Sequence, residues 1–212
     1  MNSLEFPYRL YLVISEKDCD GKDVLKVIES AIKGGVDLVQ LREKNGGTQE
    51  ILHKALRIQE VLSRYNVPLI INDHLEIAQK VNAYGIHVGN ADIAPTLIRT
   101  QWEGCRSLGY SIEYKEQLFN EQTATADYLG VSPVFKTATK DDTVTEWGLE
   151  GIVTIRSLTA KPLVAIGNIN ASNAYQVIKA GADCLAVVSA ICKADHPETA
   201  AAQIRSEIEK AL

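Results

Sequence analysis

Gly34-Gly35-Val36-Asp37-Leu38-Val39-Gln40-Leu41-Arg42-Glu43-Lys44 is the stretch on which the fold turns. A glycine pair stops the helix before it, because glycine takes the left-handed conformation at a helix end without steric cost. A short apolar run, Val36 to Leu41, follows at once, and polar residues begin where it ends. Upstream, Val24, Val27, Ile28, Ala31 and Ile32 recur at helix spacing over about Asp23 to Lys33. Downstream, Thr48 opens a long helix to about Arg64, with Ile51, Leu52, Ala55, Ile58 and Leu62 on one face. Helix, glycine step, buried strand and charged exit form one unit of a parallel α/β architecture.

The unit repeats in both directions. Strands are predicted at Tyr8–Ser15, Val36–Leu41, Pro68–Ile71, Gly85–Val88, Cys105–Gly109, Tyr128–Val131, Leu163–Ile166 and Leu185–Val188. Helices are predicted between them at Leu75–Asn82, from Pro95 to near Gly104, and over Ile112–Asn120, Glu146–Ser157 and Ala171–Lys179, with a last one from Pro197 onward. Gly181-Ala182-Asp183 repeats the step at Gly34-Gly35-Val36-Asp37, and Ala126-Asp127 is a weaker copy. Strands of four to six residues, apolar on both faces, suit a parallel sheet covered by helices. Closure gives each strand two neighbours, so a (β/α)8 TIM barrel is favoured over a doubly wound open sheet. Residues 1–212 are read as one α/β domain.

Composition narrows the function classes. No apolar stretch approaches the length of a membrane span. Met1 to Arg9 lacks a basic region followed by an apolar core, so no signal peptide is expected. The formal charge of −5 is spread without a basic cluster, which argues against general nucleic-acid binding. Cys19, Cys105, Cys184 and Cys192 lack metal-like or disulfide-like spacing; Cys105 and Cys184 read as small core residues, and a cytoplasmic setting fits. His74 and His87 do not define an acid–base pair, and Trp147 reads as structural.

The chemistry gathers at the strand ends, where parallel barrels build their sites. Period two puts Gln40, Arg42 and Lys44 on one side of the backbone, an amide for a polar heterocycle followed by two cations for an anion. Asn72-Asp73 follows the third strand and Asp92 follows the fourth. Two carboxylates from adjacent loops can hold Mg2+ while waters and substrate oxygens complete its shell. Thr137, Thr139 and Lys140 lie in a loop long enough to cover a ligand, with hydroxyls and a cation suited to phosphate. Gly167-Asn168-Ile169 and Val188-Ser189-Ala190-Ile191 occupy the loops that cradle phosphate in barrels.

In this order the motifs resemble the thiamine-phosphate synthase family over nearly the whole chain. The resemblance rests on Val39–Lys44, Asn72-Asp73, His87–Asp92, Asp127–Lys140, Val164–Ile169 and Val187–Ile191. It implies a barrel transferase that joins hydroxymethylpyrimidine diphosphate to hydroxyethylthiazole phosphate with Mg2+ as cofactor; members of that family are often homodimers, while the sequence of this chain leaves its own oligomeric state open. Carried over, Gln40 faces the pyrimidine; Arg42, Lys44, Asn72, Ser111 and Lys140 contact the diphosphate; Asp73 and Asp92 hold the metal. Thr137, Thr139, Gly167, Val188 and Ser189 fall in the region matched to the thiazole phosphate. Several positions depart from the family pattern: His74 for a usual arginine, Asn90-Ala91 for Gln-Glu, Glu113 in place of part of Thr-His, Ser132 and Lys136 for glycine and proline, and Asn168 for glycine. A thiazole tautomerase-like enzyme or a non-catalytic barrel that binds phosphate ligands are the competing readings.

Overall fold

Eight parallel strands close into a barrel in sequence order, β1 pairing with both β2 and β8. They are β1 (Leu10–Ile14), β2 (Leu38–Leu41), β3 (Leu69–Asn72), β4 (Gly85–Val88), β5 (Ser107–Ile112), β6 (Tyr128–Val131), β7 (Leu163–Ile166) and β8 (Cys184–Val187). The structure, a computed structural model, describes residues 6–136 and 145–212. Helices α1 (Val24–Lys33), α2 (Thr48–Tyr65), α3 (Leu75–Lys80), α4 (Pro95–Gln101), α5 (Glu121–Thr125), α6 (Gly148–Leu158), α7 (Ala174–Lys179), α8 (Ser189–Cys192) and α9 (Pro197–Ala211) follow the strands.

Period two sorts the strand side chains into two cores. Leu10, Leu12 and Ile14 of β1, Leu129 and Val131 of β6, and Leu185 and Val187 of β8 pack outward against the helices. Tyr11, Val13, Leu38, Ile70, Tyr128, Val164, Cys184 and Ala186 fill the barrel interior. Both faces are therefore buried, as the unbroken apolar runs predict. All four cysteines are free thiols and buried, Cys105 and Cys184 among them. Among the described residues no helix is long and apolar enough to cross a membrane.

The recurring aspartate before a strand has a physical cause. Asp37 donates its N–H to Leu10 O at 3.0 Å, and its carboxylate accepts from Leu10 N at 3.0 Å and from Arg205 Nη1 at 2.8 Å. Asp127 repeats this with Leu108 O and Leu108 N (2.8 and 2.7 Å) and with Arg99 Nη2 at 2.5 Å. Asp183 does so with Leu163 O and N (2.9 and 2.8 Å) and Arg156 Nη1 at 2.8 Å. Each aspartate thus locks the start of its own strand to the preceding one. Each also satisfies an N–H that has no ladder partner and ties a helix arginine to the barrel floor.

Two segments differ from the expected pattern. The helix expected over Ile112–Asn120 does not form, because β5 continues to Ile112. Gln117 Oε1 then accepts from the N–H groups of Glu113 and Tyr114 at 2.7 and 3.0 Å, turning the chain into a 3₁₀ turn at Lys115–Phe119. Asn120 caps the separate α5 through Thr123 N at 2.8 Å. After β8, Ser189–Cys192 coils into the short α8 where a loop is expected. Trp147 is structural as predicted: its Nε1–H donates to Ile112 O at 3.2 Å, holding the entry to α6 against the end of β5.

Candidate active site

One cavity opens at the carboxyl ends of the strands. Its wall carries Gln40, Arg42 and Lys44 from β2 and its exit, Asn72 and Asp73 from β3, Asp92 after β4, Ser111 from β5, Gly167 after β7, and Val188 and Ser189 after β8. Thr137, Thr139 and Lys140 lie outside the described residues.

The exit of β2 alternates as its sequence predicts. Gln40, Arg42 and Lys44 face the cavity, while the intervening Glu43 turns away and is buried. Glu43 Oε1 accepts from Glu16 N at 2.9 Å and meets Lys54 Nζ at 3.5 Å; Lys54 also bridges Glu16 at 2.5 Å and Glu50 at 3.0 Å. The cations of the site thus extend from a strand end pinned by its own ion-pair cluster.

Asp73 sits in the left-handed backbone region, φ 61°, which asparagine and aspartate tolerate better than most residues. That turn directs its carboxyl back toward Asp92, whose carboxyl adjoins it. Asn72 Nδ2 donates to Asp73 Oδ2 at 2.5 Å, and Gly89 N donates to Asp92 Oδ2 at 2.8 Å. Burial, together with the adjoining Asp92 carboxyl, pushes the Asp73 carboxyl up to about 7, against the opposing pull of Arg42 and Lys44. Among the described residues no cluster of three or more His, Cys, Asp or Glu side chains could enclose a metal. Two crowded carboxylates with open space beside them fit a hard cation that draws its remaining ligands from water and phosphate oxygens.

A line of hydrogen-bonded polar groups crosses the interior beneath this charged wall. Gln40 Nε2 donates to Tyr11 Oη at 2.7 Å, and Tyr11 Oη lies 3.1 Å from Tyr128 Oη. Tyr128 Oη is 3.1 Å from His87 Nδ1, and His87 Nε2 is 2.9 Å from Ser111 Oγ. Burial pushes both phenols well above their usual range, so each keeps its proton. Glycine makes the room: a Cβ on Gly109 would lie 2.3 Å from His87 Nδ1, and one on Gly130 would lie 2.9 Å from His87 Cε1. Sequence reasoning leaves His87 unassigned and does not single out Tyr11 or Tyr128. The available signal is that all three share the inward phase of their strands with Gln40 and Ser111.

The departures from the family pattern are accommodated locally. Asn90 Nδ2 donates to Glu113 Oε2 at 2.7 Å, and Asn90 Oδ1 accepts from Tyr110 Oη at 2.7 Å and from Gln117 Nε2, so two of the altered positions bond to each other on the cavity rim. His74 Nε2 lies 3.4 Å from Glu43 O. Asn168 stands at φ 53°, a conformation asparagine adopts readily in place of glycine. Gly167 itself, at φ 116°, packs so closely on Pro133 that a Cβ there would lie 2.7 Å from Pro133 Cβ.

A parallel (β/α)8 barrel with a paired-carboxylate, cation-lined cavity at its strand ends belongs to the class of barrels that handle anionic, phosphate-bearing ligands. The family profile described as "Thiamine monophosphate synthase" matches residues 10–191, which span every site residue named above. A thiamine-phosphate synthase of Albidiferax ferrireducens is 43% identical over 201 residues, covering 95% of this chain and 92% of the relative. One from Chloroflexus aurantiacus is 41% identical over 209 residues, covering 97% and 96%. The structure of a thiamine phosphate pyrophosphorylase from Pyrococcus furiosus superposes with a TM-score of 0.88 at 29% identity, covering 97% of this chain and 98% of that one. The chain belongs to the thiamine monophosphate synthase family.

Proposed function

We propose that this chain is a transferase that joins 4-amino-2-methyl-5-hydroxymethylpyrimidine diphosphate to 4-methyl-5-hydroxyethylthiazole phosphate, giving thiamine phosphate and diphosphate. One observation carries the reading: Gln40, Arg42, Lys44, Asn72, Asp73, Asp92 and Ser111, which come from four separate strand ends, line a single cavity in a chain with this family membership.

The chemistry asks for these groups. The bond from the pyrimidine methylene to the diphosphate oxygen breaks, and the leaving group keeps its electron pair. The methylene becomes cationic, stabilised by the amino-pyrimidine ring, and the thiazole nitrogen closes on it with its own lone pair. No protein nucleophile or general base is needed, so the protein contributes positioning and electrostatics. Arg42 and Lys44 oppose the charge that develops on the departing oxygens, and Lys140 is assigned to the same task by the family resemblance. Asn72 and Ser111 hold the diphosphate through neutral hydrogen bonds. Gln40 orients the pyrimidine from below. Thr137, Thr139, Gly167, Val188 and Ser189 are assigned to the thiazole phosphate. Asp73 and Asp92 would hold Mg2+, which when bound supplies further positive charge to the diphosphate; the raised Asp73 carboxyl beside a second carboxyl supports a cation there.

The family resemblance supports a homodimer, and four free buried thiols support a reducing, cytoplasmic setting. The test of the activity supplies both organic substrates and Mg2+ and measures thiamine phosphate by mass, omitting each component in turn. Stoichiometric thiamine phosphate and diphosphate, lost on any omission, is the expected result; intact substrates after incubation of the complete mixture would overturn the proposal.

A further inference from the structure

The line of hydrogen bonds across the barrel interior has a direction. Gln40 Nε2 can only donate, so Tyr11 Oη accepts from it at 2.7 Å and must turn its own proton toward Tyr128 Oη, 3.1 Å away. Tyr128 already accepts from Tyr11, so its proton goes to His87 Nδ1, 3.1 Å away. An imidazole that accepts at Nδ1 carries its proton on Nε2, and Nε2 then donates to Ser111 Oγ at 2.9 Å. The serine hydroxyl, with its oxygen engaged, is left to donate into the cavity. At the other end, the Gln40 amide is left to present its carbonyl oxygen there.

We propose that Tyr11, Tyr128 and His87 form a one-way hydrogen-bond relay that sets the polarity of the two substrate-facing groups at its ends, an acceptor at Gln40 and a donor at Ser111. The three are positioning residues. The relay assigns the specificity of the pocket: a ring that offers an N–H donor to Gln40, as a 4-amino-pyrimidine does, and an anionic oxygen that accepts from Ser111. A ring with a carbonyl in place of the amino group meets acceptor with acceptor and is rejected. The inference takes the identity of the ligand from the proposed function, but the relay itself is a property of the free protein.

The supporting structure holds every member in place. Tyr11 and Tyr128 are fully buried, keep their protons, and pack edge to face with ring centroids 6.3 Å apart. The Tyr128 ring also lies against His87, centroids 5.5 Å apart. Gly109 and Gly130 leave no space for the imidazole to be replaced by a bulkier arrangement. The reversed order would have the Gln40 carbonyl accepting from Tyr11, His87 protonated on Nδ1, and Ser111 donating to Nε2, with its hydroxyl withdrawn from the ligand.

Nitrogen-15 NMR of histidine-labelled full-length protein without substrate separates the two orders, with the His87 signals assigned by their loss in His87→Asn. The Nε2–H tautomer is expected; the Nδ1–H tautomer overturns the relay. Steady-state kinetics then compares the 4-amino substrate with its 4-oxo analogue. Tyr128→Phe breaks the line at its centre and frees Gln40 to turn over. It should raise KM for the pyrimidine diphosphate about tenfold, leave KM for the thiazole phosphate unchanged, and narrow the amino/oxo discrimination about tenfold, the worth of one well-placed neutral hydrogen bond. Tyr11→Phe is the second variant should Tyr128→Phe not fold. An unchanged discrimination ratio in whichever variant is folded would overturn the proposal. Should the wild type couple neither substrate, the proposed reaction fails while the tautomer measurement still decides the relay.

Discussion

Replacing Asp73 with asparagine should make the metal-free protein more stable, by an amount that grows as pH rises from acid to neutral. Asparagine keeps the size and shape of the side chain and tolerates the φ of 61° at this position. What it removes is a charge held beside the Asp92 carboxyl. The Asp73 carboxyl moves from 3.8 in the unfolded chain to about 7 in the folded one. The folded state therefore binds an extra proton between those values, and its stability is full below about 4, falls as pH rises, and is lowest above about 7. Taken whole, the rise corresponds to about 4 kcal/mol; partial exposure and solvent screening reduce this to roughly 2 kcal/mol. For a domain of this length that is a Tm difference of about 4–8 °C between Asp73→Asn and wild type at pH 8, shrinking toward zero at pH 4. Differential scanning calorimetry across this range reads it directly. Adding millimolar Mg2+ at pH 8 should raise the wild-type Tm and leave the variant little changed, closing the gap. A gap of equal size at pH 4.5 and pH 8, or a variant that responds to Mg2+ as the wild type does, would refute the reasoning.

Three further outcomes follow from the same geometry. Arg42→Ala should lower turnover by about two decades or more in a diphosphate-release assay, roughly 3 kcal/mol of lost transition-state stabilisation, with an unchanged circular dichroism spectrum; near-normal turnover would remove Arg42 from the leaving-group site. Gly109→Ala would put a methyl carbon 2.2 Å from Tyr128 Cζ, so urea denaturation should show a loss of about 1–3 kcal/mol or more, and a neutral result would mean the barrel interior is not packed as described. Asp183→Ala strips Leu163 N of its acceptor and Arg156 of its ion-pair partner, and should cost about 1–3 kcal/mol by the same measurement without altering KM for either substrate, since it sits at the opposite end of the strands.

The fold was legible because local rules and global architecture agree over most of the chain. The glycine step at Gly34-Gly35, the apolar run to Leu41 and the charged exit each specify the same unit, and eight repetitions leave few alternatives to a closed barrel. Residues following strands were legible for the same reason: Asp73 and Asp92 are on adjacent strand exits, and parallel neighbours bring those exits together. The segment after Ser111 was not, because nothing in its periodicity reveals that the Gln117 side chain will bind the N–H groups of Glu113 and Tyr114 and divert the chain from a helix. Nor was the pairing of Tyr11 with Tyr128, 117 residues apart in sequence, since it depends on opposite walls of a closed barrel reaching the same level. Each reads locally as an ordinary core aromatic.

The barrel divides the electrostatic work of the proposed reaction between its two sides. Arg42, Lys44, Asp73 and Asp92 gather at the exits of β2, β3 and β4, where charge can balance a leaving diphosphate and its cation. Tyr11, Tyr128, His87 and Ser111 occupy β1, β6, β4 and β5 with polar groups hydrogen-bonded to one another. A cationic methylene formed beside Tyr11, which lines the cavity, would be captured by an ionised phenol. Burial prevents this by holding the Tyr11 phenol protonated through physiological pH, as it does Tyr128 and Cys184, which do not line the cavity. The same apolar interior that stabilises the barrel thereby keeps an ionised phenol out of the cavity, where the proposed reaction draws its bonding lone pair from the thiazole nitrogen.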